Sequence, residues 1–169
     1  GSLGGGVFTD DVTLTDSDDN VIDLEDIDLL SGSDALWMRT AAGVRFLDLK
    51  DEFVFIWPAN EVLHPNTIDE ASRVKVGHIS TRGARNGAWL GNGAIGTLAQ
   101  AIEAAELFAM RTGRFPARSA KWRNSTQAPS EGQLRLARNL GISDAEFLTK
   151  GRLADEITTR LASRRLDPA

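Results

Sequence analysis

The chain has 169 residues, 41% of them hydrophobic, which is enough for one domain with a real core and argues against global disorder. It contains no cysteine, so disulfides, thiolate zinc sites and cysteine nucleophiles are all excluded. Its net charge of −5 conceals an asymmetry: residues 1–60 hold 13 Asp/Glu against three Lys/Arg, whereas residues from Arg114 onward hold 11 Lys/Arg against six Asp/Glu.

An acidic head and a basic tail imply two parts with different partners. Residues 1–35 are rich in Asp, centred on Asp16-Ser17-Asp18-Asp19-Asn20, and read as an acidic leader or flap with a small apolar anchor in residues 21–30. Gly1-Ser2 reads as a cloning scar, and the glycine-rich start lacks the charged and apolar regions of a signal peptide. From Leu36 the texture becomes period-two. Leu36-Trp37-Met38-Arg39-Thr40 and Val44-Arg45-Phe46-Leu47-Asp48-Leu49 flank Ala41-Ala42-Gly43, a hairpin loop with glycine available for a positive φ. Phe53-Val54-Phe55-Ile56-Trp57 predicts a more buried strand stopped by Pro58. Val74-Lys75-Val76-Gly77-His78-Ile79 and Ala88-Trp89-Leu90 complete an antiparallel meander.

Residues 95–112 then predict an amphipathic helix, with Leu98, Ala101, Ile102, Ala105 and Phe108/Ala109 at spacings of three and four and Gly113 as its C-terminal cap. Residues 114–128 are a basic connector. Residues 129–169 form a helical unit: a capping box at Ser130-Glu131-Gly132-Gln133, an apolar stripe of Leu134, Ala137 and Leu140, and Gly141 as terminator. A second capping box is expected at Ser143-Asp144-Ala145-Glu146. Thr149 caps a last helix with Leu153, Ile157 and Leu161 on one face. The expected fold class is α+β: an antiparallel meander of about four to five strands packed with one long helix, followed by a small helix–loop–helix unit. No apolar run approaches the roughly 18 residues of a membrane helix. A cytoplasmic protein with no membrane partner fits best.

Several motifs yield to simpler readings. Gly91-Asn92-Gly93-Ala94-Ile95-Gly96 matches the dinucleotide fingerprint, but basic Arg114-Phe115-Pro116-Ala117-Arg118 follows where a second parallel strand is required. A glycine-rich strand-to-helix turn accounts for it. Asp16-x-Asp18-x-Asn20 begins like a calcium loop, yet Val21 and Ile27 stand where glycine and glutamate are needed. His64 and His78 have no i+4 partner and read as surface or edge-strand histidines. No nucleophile elbow and no P-loop is present. The expectation is no catalytic residue, no cofactor and no metal. Trp37, Trp57 and Trp89 read as core or sheet-face residues. Trp122, between Lys121 and Arg123, can either stack on a base or staple the connector to the tail.

The tail carries the strongest functional signal. Gln133-Leu134-Arg135-Leu136-Ala137-Arg138-Asn139-Leu140-Gly141-Ile142, followed by Leu148-Thr149-Lys150-Gly151-Arg152-Leu153, resembles SAP-like DNA-binding motifs. In that pattern Lys150, Gly151 and the first-turn amides of the second helix make a phosphate-binding end. Together with Val21-Ile22-Asp23-Leu24-Glu25-Asp26-Ile27-Asp28-Leu29, Ala35-Leu36-Trp37-Met38-Arg39-Thr40, Phe53-Val54-Phe55-Ile56-Trp57-Pro58, Gly87-Ala88-Trp89-Leu90 and Ala120-Lys121-Trp122-Arg123, the chain resembles the C-terminal accessory region of bacterial and phage superfamily II DEAD/DEAH-box helicases. The resemblance implies a non-catalytic DNA-binding domain that positions DNA for ATPase motor lobes outside these residues. Contacts would come from Lys121, Trp122, Arg123, Arg135, Arg138, Lys150, Gly151 and Arg152, flanked by Arg160, Arg164 and Arg165. The alternative is a protein-interaction module that docks a partner or those motor lobes.

Overall fold

A computed structural model describes residues 33–120 and 125–168. Residues 1–32 of the acidic leader, with its calcium-like pattern, and the Lys121-Trp122-Arg123 triplet lie outside the described residues.

Alternating aromatic and β-branched residues build a five-stranded antiparallel sheet in the order β1-β2-β3-β4-β5. The strands are β1 (Met38–Arg39), β2 (Arg45–Asp48), β3 (Glu52–Pro58), β4 (Val74–Ser80) and β5 (Gly87–Trp89). The first hairpin closes as expected: Gly43 adopts φ 92°, and its N–H donates to the Thr40 carbonyl at 3.0 Å. A side chain there would also meet the Asn66 Cβ at 2.6 Å, so the position is closed to other residues twice over. Pro58 ends β3, where its missing N–H removes a ladder donor.

The long helix, α1 (Leu98–Thr112), begins three residues later than apolar spacing alone places it. Thr97 and Gln100 form a reciprocal capping box, which outweighs Ile95, left 55% exposed in the turn before it. Leu98, Ala101, Ile102, Ala105 and Ala109 are buried, and Phe108 stacks on His78 of β4 with ring centroids 5.1 Å apart. Strand register puts Leu47, Val54 and His78 on that same face of the sheet. Residues 33–37 are strapped to α1 as well: Ser33 Oγ and Trp37 Nε1 both donate to Glu106 Oε2, at 2.6 and 2.7 Å. The connector pairs back on this segment through an antiparallel bridge between Ala35 and Ala117.

Two further helices, α2 (Glu131–Asn139) and α3 (Lys150–Leu166), complete the described residues. Ser130 and Gln133 form the expected capping box, and Thr149 accepts from the Arg152 N–H. The expected box at residues 143–146 does not form. Asp144 is left-handed there (φ 57°), and no side chain caps the short 3-10 turn Ala145–Phe147. Ala137, Leu140, Ala145, Leu153 and Ile157 make a small core between the helices. The last turns of α3 then leave that core, and Ala162 and Leu166 pack on Val44, Phe46 and Phe53 on the sheet face opposite α1. Leu161 touches both cores. The architecture is therefore α+β, with a helix on each side of an antiparallel sheet. No helix among the described residues is long and apolar enough to cross a membrane.

Asp48 lies under α3. Burial pushes its carboxyl above the ordinary aspartate range; the Lys50 N–H and charge pull it down, and Asp155 on α3 pushes it up again. The fold thus disfavours the charged form. Its cost to stability is present once the pH exceeds the raised folded-state value, and it vanishes when the pH falls below the unfolded-state value. Asp48→Asn keeps an acceptor for the Lys50 N–H (2.8 Å). It is expected to raise the urea midpoint near neutral pH and to leave it unchanged well below the aspartate range. An equal shift at both pH values would assign the effect to something other than ionisation.

Candidate nucleic-acid interface

The cations expected to form one basic face lie on α2 and along α3, apart from Lys121 and Arg123, which lie outside the described residues. Arg135 and Arg138 are exposed on α2. Lys150, Gly151 and Arg152 make the first turn of α3, with both cations exposed and Gly151 buried. Two amides of that turn are already used: the Lys150 N–H donates to the Gln127 carbonyl at 2.8 Å, and the Arg152 N–H donates to Thr149 Oγ1 at 3.3 Å. Side-chain charge, more than open backbone donors, is what this end offers an anion. Lys150 also lines a cleft of about 290 Å³ with Ser125, Gln127, Gln133 and Ala154. Arg160 is exposed, and its Nη1 donates to the Leu140 carbonyl at 3.0 Å, closing the end of α2. Arg164 and Arg165 lie at the far end of α3, about 20 Å from Lys150 at 1.5 Å per residue.

What the fold brings to Arg164 and Arg165 is the β4–β5 loop, Thr81-Arg82-Gly83-Ala84-Arg85-Asn86. Arg165 Nη2 donates to the Gly83 carbonyl at 2.6 Å, and Arg85 Nη2 donates to the Arg164 carbonyl at 3.2 Å. The guanidinium groups of Arg85 and Arg165 therefore tie together two segments about 80 residues apart, which also carry Arg82 and Arg164. Arg82, Arg85 and Arg164 are exposed, and Arg165 is half-buried. Carbonyl acceptors fix Arg85 and Arg165 in place but leave their charge intact. Ion pairs among the described residues include Lys75–Glu61 and Arg114–Asp51, and among those residues none of these four arginines meets a carboxylate. Sequence reasoning missed Arg82 and Arg85, which sit in a loop read only as strand spacing. The available signal was two cations and a glycine in six residues with no acid.

The sheet beside this cluster presents an aromatic strip. On the face that α3 covers in part, strand register sets Trp57 opposite Lys75, Phe55 opposite Gly77, and Gly77 opposite Trp89. Phe55 meets Trp57 and Trp89 edge-on, with centroids 6.2 and 5.7 Å apart. Lys75 Nζ lies 4.1 Å from the centre of the Trp89 ring. Gly77 is what permits this packing: a Cβ there would come within 2.6 Å of Phe55 Cζ and 3.0 Å of the Trp89 ring. Trp57 is half-buried against the core, as a sheet-face residue should be, but Trp89 remains 39% exposed on the edge strand.

No protein-family model, curated protein or solved structure matches the chain.

The remaining candidates have local explanations. His78 Nδ1 lies 2.8 Å from Glu52 Oε1, beside a cleft of about 290 Å³ lined by Asp51, Glu52, His78, Ser80, Asn86, Gly87 and Ala88. The nearby Ser80 hydroxyl donates to the Ala84 carbonyl at 2.6 Å and accepts from the Asn86 N–H at 3.3 Å, so it ties down the loop and does not engage the imidazole. His64 is hydrogen-bonded to Asn66 at the start of the 3-10 turn Pro65–Thr67. Among the described residues no group of three or more His, Asp or Glu is placed to hold a metal. The stretch 91–96 is a turn: Gly96 exchanges two backbone hydrogen bonds with Val74, at 2.8 and 2.9 Å, before Thr97 caps α1. Thr97 Oγ1 accepts from the Gln100 N–H at 3.1 Å at that helix start.

Proposed function

We propose that the chain is a non-catalytic, cytoplasmic nucleic-acid-binding accessory domain that holds phosphodiester backbone for an ATP-dependent DNA helicase motor outside these residues. One observation carries the binding: Arg82, Arg85, Arg164 and Arg165 converge at one end of the sheet without carboxylate partners among the described residues. Guanidinium groups that meet no carboxylate directly, two of them held by backbone carbonyls, form the electrostatic footprint of a polyanion site. Arg135, Arg138, Lys150 and Arg152 add positive charge elsewhere on the helical tail. The helicase setting rests on the sequence resemblance alone.

Titration of the full chain into a dye-labelled oligonucleotide, followed by fluorescence anisotropy, tests the reading. Affinity is expected to be micromolar or weaker. If four cations engage a single strand, the logarithm of the binding constant should fall against the logarithm of salt with a slope on the order of −3. No binding at low salt, or binding indifferent to salt, would remove the proposal.

A further inference from the structure

The proposed contact with nucleic acid leaves open what the aromatic strip beside the arginines does. An exposed indole on an edge strand has no need, for folding alone, to sit next to a cluster of cations. Trp89 is supported edge-on by Phe55 and capped on one side by Lys75, yet it keeps 39% of its surface open. Arg85 stands four residues before it, at most about 13 Å along an extended chain. A phosphate held by Arg85 is therefore within reach of a strand whose base lies on the indole about two nucleotides away. Glu61, hydrogen-bonded to Lys75 at 3.0 Å, puts negative charge at the opposite end of the strip. The backbone should therefore enter from the arginine end.

We propose that this face takes single-stranded nucleic acid, with a base stacked on Trp89 and the adjoining phosphates on Arg85 and Arg164. In a duplex the faces of the bases are already stacked on one another and only their edges are open, so an aromatic platform has nothing to grip. A single strand offers both parts that this surface can bind: a ring face for the indole and a flanking charge for the guanidinium groups. Stacking tolerates any base, so the site discriminates strandedness and not sequence.

The inference rests on the phosphate-binding reading, and the test separates the two. Anisotropy titrations would compare an oligothymidine strand, an abasic strand of equal length and a duplex, against the full chain and its variants. The base-bearing strand is expected to bind about tenfold more tightly than the abasic one. Trp89→Ala should erase that difference without changing abasic affinity, while Trp89→Phe, which keeps a ring over Gly77, should retain most of it. Thermal melting identifies any variant that fails to fold, and Trp89→Phe keeps the comparison usable if the alanine variant does. Equal affinity for base-bearing and abasic strands, or tighter binding of the duplex, would overturn the stacking proposal and leave the phosphate site standing. Failure of all three nucleic acids to bind at low salt would overturn both.

Discussion

Reversing Arg85 and Arg164 together to glutamate is expected to weaken nucleic-acid binding about a hundredfold at low salt and to reduce the salt slope by roughly 1.4, two contacts at about 0.7 each on a single strand. The change acts twice, because each substitution removes an attraction and introduces a repulsion of similar size. Stability should move little. Both residues are exposed, and the only hydrogen bond described for the two side chains is that from Arg85 Nη2 to the Arg164 carbonyl, which does not require the Arg164 side chain. The informative control is the pair Lys150→Glu and Arg152→Glu at the other end of α3, which the sequence alone favours. If that pair abolishes binding while the Arg85/Arg164 pair is silent, the interface lies on the helical tail. The arginine cluster at the sheet would then be structural.

The contrast between those two pairs shows which parts of the molecule a sequence can reveal. Strands β2 to β4 were legible because Phe53-Val54-Phe55-Ile56-Trp57 and Val74-Lys75-Val76 alternate between two faces, each with a layer to bury against. The starts of α2 and α3 were legible because Ser130 and Thr149 meet their own helix's amides, a bond contained in four residues. The same local logic failed at residues 143–146. There the pattern is present, but Asp144 turns left-handed and the turn goes uncapped. Tertiary acceptors were out of reach altogether. Nothing in the tail indicates that Arg160 ends on the Leu140 carbonyl or Arg165 on Gly83, because both acceptors are supplied by the tertiary fold. Nor does the spacing of Leu153, Ile157 and Leu161 reveal a second apolar face on α3. Ala162 and Leu166 become core only because the sheet lies beneath them.

That second face sets the other large effect, at Phe53. Its ring is 2% exposed, lies edge-on to Phe46 with centroids 5.4 Å apart, and packs in the cluster that joins the sheet to Ala162 and Leu166 of α3. Phe53→Ala is expected to cost about 3–5 kcal/mol, combining lost burial, a cavity and the broken aromatic pair. This is a large share of the roughly 5–15 kcal/mol that holds a domain of this kind together. If the sheet and the tail form one cooperative unit, urea transitions followed by tryptophan fluorescence and by helical circular dichroism should coincide, and both should shift together in the variant. Separate transitions, with the helical signal unmoved, would show that α2 and α3 fold on their own core. The distinction reaches the binding site. Arg164 and Arg165 meet the β4–β5 loop only while α3 is docked, so loosening that contact should lower nucleic-acid affinity with every charge still in place. An undocked tail that bound as tightly as the native chain would mean that the arginines act without being assembled.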